Sequence, residues 1–187
     1  MNKNKILSTY QIFCQNSTDI NEHLPALRKY SSKCNHITEM GVRKVFSTWA
    51  FLAGLVDQGG GTLHSIDYTH PSNSGGAGTG LEEAIAACDG EEIEFVFFEE
   101  DTTKIDIQKT DLLFIDTDHF YEQLKSELKL HSSKVGKYII LHDTESCKTE
   151  LSPAISEFLE KHKEWNILEH FSNNNGLTIL EKNNGKN

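Results

Sequence analysis

Two short motifs carry the densest chemistry in this chain. Asp116-Thr117-Asp118-His119 follows the apolar run Leu112-Leu113-Phe114-Ile115, and His142-Asp143 follows Ile139-Ile140-Leu141. Each sets an acid beside a histidine where an apolar segment gives way to polar chain. Carboxylate and imidazole groups at one rim suit Mg²⁺ or Mn²⁺, with waters and substrate oxygens completing the shell. Asp116, His142 and Asp143 are the candidate metal ligands. The imidazole favours Mn²⁺ or a softer ion over Mg²⁺, or signals that no metal is held. The plainer alternative is two capping aspartates and a histidine in a surface turn.

Those residues need a scaffold. Runs at His36–Met40, Thr62–Asp67, Glu92–Phe98, Asp111–Asp116 and Lys137–His142 read as strands. Between them lie helical patterns. Val45, Trp49, Leu52 and Val56 share one face of a helix over 44–57. Leu81 to Cys88 is a second. His119 to Ser133 is a third, with Leu124, Leu128 and His131 on one side, and Asp118 is its expected N-cap. Ser152-Pro153 reads as a cap and first-turn proline opening a helix to about His162. Asp19 to Glu22 opens another that carries Leu24, Leu27 and Tyr30. Trp165–Phe171 and Leu177–Glu181, joined by Ser-Asn-Asn-Asn-Gly, read as a hairpin.

Strands alternating with helices predict an α/β fold. It is Rossmann-like and doubly wound, with a mostly parallel seven-stranded sheet, helices on both faces and a C-terminal antiparallel β-hairpin. The whole chain, 1–187, is one domain, with residues 1–18 an extension of unassigned structure and 182–187 a frayed tail. In such sheets ligands bind beyond the carboxyl ends of the strands, where strand order reverses. Here each of the first five strands ends at an acid: Glu39, Asp67, Glu99-Glu100-Asp101, Asp116 and Asp143. The first turn has the single glycine Gly41 in place of the G-x-G-x-x-G that cradles a pyrophosphate. An acid-lined crevice without that cradle points to a nucleoside lacking phosphates, of which S-adenosylmethionine is one.

Composition narrows the partners. With 18 Lys+Arg against 28 Asp+Glu, the net charge of −10 disfavours nucleic acid and anionic lipid and suits a cationic ligand. No apolar run approaches the ~20 residues of a membrane span. No signal-peptide pattern opens the sequence, so the expected location is the cytoplasm. Cys14, Cys34, Cys88 and Cys147 are far apart and read as reduced thiols. Trp49, Phe46 and Phe51 read as core. His23, His36, His131 and His162 show no partner pattern. The Gly-rich loop of residues 75–80 reads as a lid or a plain connection.

Over about Asp19 to Thr144 the sequence resembles the class I S-adenosylmethionine-dependent methyltransferases. It is most similar to the small cephalosporin-hydroxylase-like and macrolide-sugar O-methyltransferase subgroup. ITEMGVRKVFSTWAFL (37–52), LHSID (63–67), DLLFIDTDHFYEQLKSEL (111–128) and YIILHDT (138–144) carry the resemblance. It implies that Glu39 and Gly41 line the methionine end of the cofactor, with the hydroxyls of Ser47 and Thr48 near its carboxylate. Asp67 would take the ribose diol, Asp101 would lie near the adenine, and Asp116 would border the same site. Asp116, His142 and Asp143 would hold the cation, although the subgroup has Glu-Asp where this chain has His142-Asp143. His119 would be the general base, since an imidazole of ordinary pKa near 6.5 accepts a hydroxyl proton at neutral pH.

The expected activity is therefore metal-assisted O-methylation of a hydroxyl, best matched by a sugar hydroxyl of a glycan or glycoside. The expected partners are that small-molecule or glycan acceptor and a second copy of the chain as a homodimer. A metal-dependent hydrolase on the same fold, or a non-catalytic binding module, remain the alternatives, because one fold hosts many functions.

Overall fold

The computed structural model describes residues 2–73 and 80–183. Most of the Gly-rich loop considered as a lid, residues 74–79, lies outside the described residues, as do 184–187 of the tail. A seven-stranded sheet runs in the order β3-β2-β1-β4-β5-β7-β6. Its strands are β1 (His36–Met40), β2 (Gly61–Asp67), β3 (Ile93–Glu99), β4 (Thr110–Ile115), β5 (Val135–His142), β6 (Trp165–Phe171) and β7 (Leu177–Lys182). β1 to β5 are parallel to one another, and β7 inserts antiparallel between β5 and β6.

Alternation along the central strands divides the core in two. Ile37, Leu112, Phe114 and Ile140 face one apolar layer, whereas Met40, Leu113, Ile115 and Ile139 face the other. Side chains of successive strand residues point to opposite faces, so both layers need covering. The first layer lies under α1 (Asn2–Gln15), α2 (Leu24–Ser31), α3 (Phe46–Gln58) and α4 (Gly80–Cys88). The second lies under α5 (Tyr121–His131) and α6 (Lys148–Lys161). Trp49 and Phe51 are buried in the first layer, as their helical spacing predicts.

The unassigned N-terminal segment acquires a structure, and two expectations, for α5 and α6, are corrected. Residues 2–15 form a helix whose Ile6 and Tyr10 are buried in the core. Leu7, Phe13 and Cys14 of the same helix are partly buried against that core. α6 begins at Lys148, and Ser152-Pro153 lies inside it. Leu151, Ala154, Ile155 and Phe158 are buried on one face, so packing extends the helix a turn ahead of the proline. α5 starts at Tyr121 behind Phe120, which makes no side-chain cap bond, so Asp118 is not its N-cap. All four cysteines are free. No described helix is long and apolar enough to cross a membrane.

Candidate functional site

Strand order reverses between β1 and β4, where β1 connects outward to β2 and β4 to β5. At their carboxyl ends opens a crevice of about 650 Å³, lined among others by Gly41, Arg43, Asp67, Asp101, Asp116 and Asp118. A smaller cavity of about 110 Å³ continues from it past Arg43 to Ile20, Ser47, His119 and Asp143. The two share Gly41, Arg43, Asp116 and Thr117.

The loop from β1 to α3 separates them, and its backbone is unusual. Gly41, Arg43 and Val45 all have positive φ, at 86°, 42° and 67°. For a β-branched valine this is a costly conformation, of the kind that tertiary structure must hold in place. Asp67 provides part of that hold. Its Oδ2 accepts from the backbone N–H of Val42 (2.7 Å) and Arg43 (3.0 Å), and its Oδ1 accepts from Thr69 N–H (3.0 Å). Gly41 is required on two counts. A Cβ there would sit 1.9 Å from the carbonyl oxygen of Asp116, in addition to the positive φ.

Glu39 points into the protein. It is wholly buried, and accepts from Ser47 Oγ (2.5 Å), Thr48 Oγ1 (2.8 Å) and Ser65 Oγ (2.5 Å). Burial pushes its carboxyl up to about 7, against the opposing pull of those three hydroxyls. It therefore supports the loop from below and does not line either cavity, where the resemblance implied that it would. Ser47 lines the smaller cavity while spending its hydroxyl on Glu39.

At the ends of β4 and β5, four side chains converge. His119 Nε2 lies 2.9 Å from Asp143 Oδ2 and 3.4 Å from Asp116 Oδ1. His142 Nδ1 lies 3.1 Å from Asp116 Oδ1 and 3.2 Å from Asp143 Oδ2. Asp143 has φ 57°, a left-handed conformation that Asp tolerates better than most residues, and Ser146 Oγ donates to its Oδ1 at 2.5 Å. Donating to the carboxylates of Asp116 and then Asp143 raises His119 to about 10. Burial works against charging His142, yet the same two carboxylates outweigh it and hold that group at about 10. Burial likewise opposes ionisation of Asp116 and Asp143, and the histidines overcome it, keeping both below the usual carboxylate range.

Ligand atoms of Asp116, His142 and Asp143 lie within 4.8 Å of one another. Two carboxylates and an imidazole are a donor set for Mn²⁺ or Mg²⁺. His142 Nε2 is buried with no partner, so this ring is fixed from the Nδ1 side only. The residues fit a divalent cation.

The structure thus brings together Asp116, His119, His142 and Asp143, and opens Gly41, Asp67 and Asp101 onto the shared crevice. Asp101 also accepts from Thr103 Oγ1 (2.6 Å) and pairs with Lys104, which with Thr103 lowers its carboxyl to about 2. Sequence reasoning passed over Arg43, which borders both cavities and pairs with Asp19. It also passed over His23, which is buried with its ring centroid 5.6 Å from that of His142. Its Nε2 lies 3.0 Å from the carbonyl oxygens of both Asn173 and Asn174. Buried His131 likewise has a partner, the carbonyl of Thr102 at 2.7 Å. These contacts join segments far apart in the chain, which no local spacing signals.

No family model matches the sequence, and no curated protein matches it. Solved structures do match in fold. Cofactor-bound Rv0187 from MTB superposes with a TM-score of 0.67 at 14% identity, covering 97% of this chain and 91% of its own. The SAH-bound methyltransferase PaMTH1 of Podospora anserina gives 0.63 at 13% identity, covering 95% and 87%. The O-methyltransferase from Bacillus cereus in complex with SAH gives 0.61 at 13%, covering 97% and 90%. This chain has the Rossmann-like fold of those proteins.

Proposed function

We propose that this chain is an S-adenosylmethionine-dependent O-methyltransferase that acts, with a divalent cation, on a sugar hydroxyl of a small molecule or glycan. The observation that carries the reading is the crevice. On a fold shared with SAH-bound methyltransferases, an acid-lined cavity narrows past Arg43 onto Asp116, His119 and Asp143, with His142 buried behind them. Asp67, Asp101, Asp116 and Asp118 give the larger cavity a negative lining suited to a cationic nucleoside. A carboxylate offers about four acceptor sites, and backbone N–H groups occupy three at Asp67, leaving one for a hydroxyl.

The donor, when bound, supplies an electrophilic methyl group on its sulfonium. The cation, when bound, supplies Lewis acidity that lowers the pKa of an oxygen it touches. Asp116, His142 through Nδ1, and Asp143 would hold it. His119 lines the smaller cavity and is partly exposed; its Nε2 is held by Asp143 at 2.9 Å and Asp116 at 3.4 Å, so an acceptor hydroxyl must take the place of one of these contacts. Alone between two carboxylates it carries a proton at neutral pH, and a protonated imidazole cannot act as base. Were Asp116 and Asp143 committed to a cation, they would no longer hold a proton on His119, and its Nε2 would be able to accept one from a hydroxyl.

The direct test is thermal stabilisation by S-adenosylhomocysteine, since a ligand selective for the native state raises its stability. A screen of nucleotide sugars and deoxysugar glycosides with donor and Mn²⁺ follows, read by mass spectrometry for replacement of one hydrogen by methyl. Stabilisation and a methylated product are expected. No stabilisation at millimolar donor product would remove the reading, and metal-dependent ester hydrolysis without donor would replace it with a hydrolase.

A further inference from the structure

Among the described residues, one wholly buried acid besides Glu39 is unused by the chemistry above. Glu127 lies on the inner face of α5 with no exposed surface. Its Oε1 accepts from Thr102 Oγ1 at 2.5 Å and from Gln123 Nε2 at 2.9 Å. Its Oε2 accepts from Thr117 Oγ1 at 2.9 Å. All three donors line the larger crevice. Thr102 follows Asp101 in the segment after β3, and Thr117 follows Asp116 in the turn that leads to His119. The two threonines belong to different loops, which a single carboxylate joins from beneath.

We propose that Glu127 is the positioning residue of this crevice. It sets the floor of the donor site by tying the β3 and β4 loops to α5, and so fixes Asp101 and the Asp116–His119 turn relative to each other.

Stability alone does not account for an acid here. A buried carboxylate loses its hydration, and an apolar side chain of similar volume at such a site is commonly neutral or stabilising. Leu124 and Leu128, on the same helix, already pack in this layer, so a leucine would be at home. An apolar residue would not hold two loop hydroxyls. Threonine hydroxyls aimed inward also leave the outer surface of both loops free to meet a ligand. The arrangement repeats the logic of Glu39, which gathers Ser47, Thr48 and Ser65 under the β1 loop. Each of the loops after β1, β3 and β4 thus rests on a buried acid.

The donor half of this inference rests on the methyltransferase reading; the loop half does not. The experiment therefore reads both in the full-length chain. Glu127→Leu is compared with wild type by melting temperature, by amide hydrogen exchange, and by calorimetric affinity for S-adenosylhomocysteine. The expected variant melts at or above wild type. It exchanges roughly tenfold faster at 101–103 and 117–118 but not in β4 or β5, and binds S-adenosylhomocysteine roughly tenfold more weakly, the scale of one or two lost hydrogen bonds to a charged group. Wild-type exchange and affinity in a folded Glu127→Leu chain would overturn the proposal. Should that variant fail to fold, Thr102→Val and Thr117→Val decide: each removes one loop's bond to Glu127, so each should quicken exchange in its own loop, and wild-type protection in both variants would overturn the role. A wild-type chain that does not bind S-adenosylhomocysteine removes the donor reading, and the exchange data still judge Glu127.

Discussion

Buried or half-buried charge is the dominant feature at the scale of single residues, and its consequences differ from site to site. Glu39 is raised from an ordinary 4.5 to about 7 by burial, so between those values the folded chain holds a proton that the unfolded chain has released. The sign follows from proton linkage: this favours folding fully below the ordinary value and is lost as pH rises through about 7. Glu39→Gln lacks the titration. The stability of wild type relative to that variant should fall by about 3 kcal/mol between about pH 5 and pH 8, at roughly 1.4 kcal/mol for each pKa unit. Urea unfolding at both pH values measures it, and a constant difference would mean that Glu39 stays ionised. His119 poses a different question. With an acceptor from the glycoside screen, His119→Ala should lower kcat by about 10²–10⁴, the usual contribution of a positioned base. Affinity for S-adenosylhomocysteine should stay near wild type, because His119 lines only the smaller cavity. A variant that keeps most of its kcat would leave proton removal to the cation.

The elements that carry these residues explain what could be read without coordinates. β4 and β5 are apolar to their last turn and then abruptly acidic, so both their burial and their functional ends stand out in the sequence. The cluster of Asp116, His142 and Asp143 was legible for that reason: parallel neighbours with β4–β5 connectivity must end side by side. The surroundings of Glu39 were not. Its strand position suggested a cleft residue, but register places it opposite Ser65, with two hydroxyls of the first turn of α3 also in reach. Register depends on pairing, which local pattern does not specify. At the start of α6 the cap-and-proline signal of Ser152-Pro153 competes with an apolar stripe that begins at Leu151, and burial of Leu151 outweighs an ideal first turn. The β1–α3 loop gives the sharpest prediction at this scale. Gly41→Ala puts a methyl carbon onto the Asp116 carbonyl and adds strain at φ 86°, so β1 and β4 must separate locally. A loss of about 2–4 kcal/mol is expected from overpacking and left-handed strain together, with weaker S-adenosylhomocysteine binding. Chemical denaturation and calorimetry would test both, and a neutral alanine would mean that the loop relaxes freely.

Across the whole molecule, the two ends of the described chain close on the site from one side. The segment at residues 18–23 supplies Asp19 and Ile20 to the wall of the smaller cavity, and it has little regular structure of its own. It is held by the Asn-rich turn between β6 and β7. Asn174 Oδ1 accepts from Glu22 N–H at 3.0 Å, and its Nδ2 donates to the Thr18 carbonyl at 2.8 Å. Asn173 reaches Glu22, and His23 donates back to the turn while its ring packs edge-on against His142. The turn that looked like a simple hairpin connection is thus a clasp about 150 residues from its partner. Asn174 is the residue to remove, because its φ of 44° is one that glycine adopts without strain, and Asn174→Gly deletes the two side-chain bonds alone. At about 1 kcal/mol for each bond the expected cost is roughly 2 kcal/mol, or a melting temperature lower by about 4–8 °C for a chain of this size. Amide exchange should quicken across 18–23 while β1, β4 and β5 keep their protection, since the sheet has its own core on both faces. Uniform loss of protection would show that the clasp is part of the cooperative fold. Unchanged exchange in 18–23 would show that α1 and α2, packed on either side of the segment, hold the cavity wall without it.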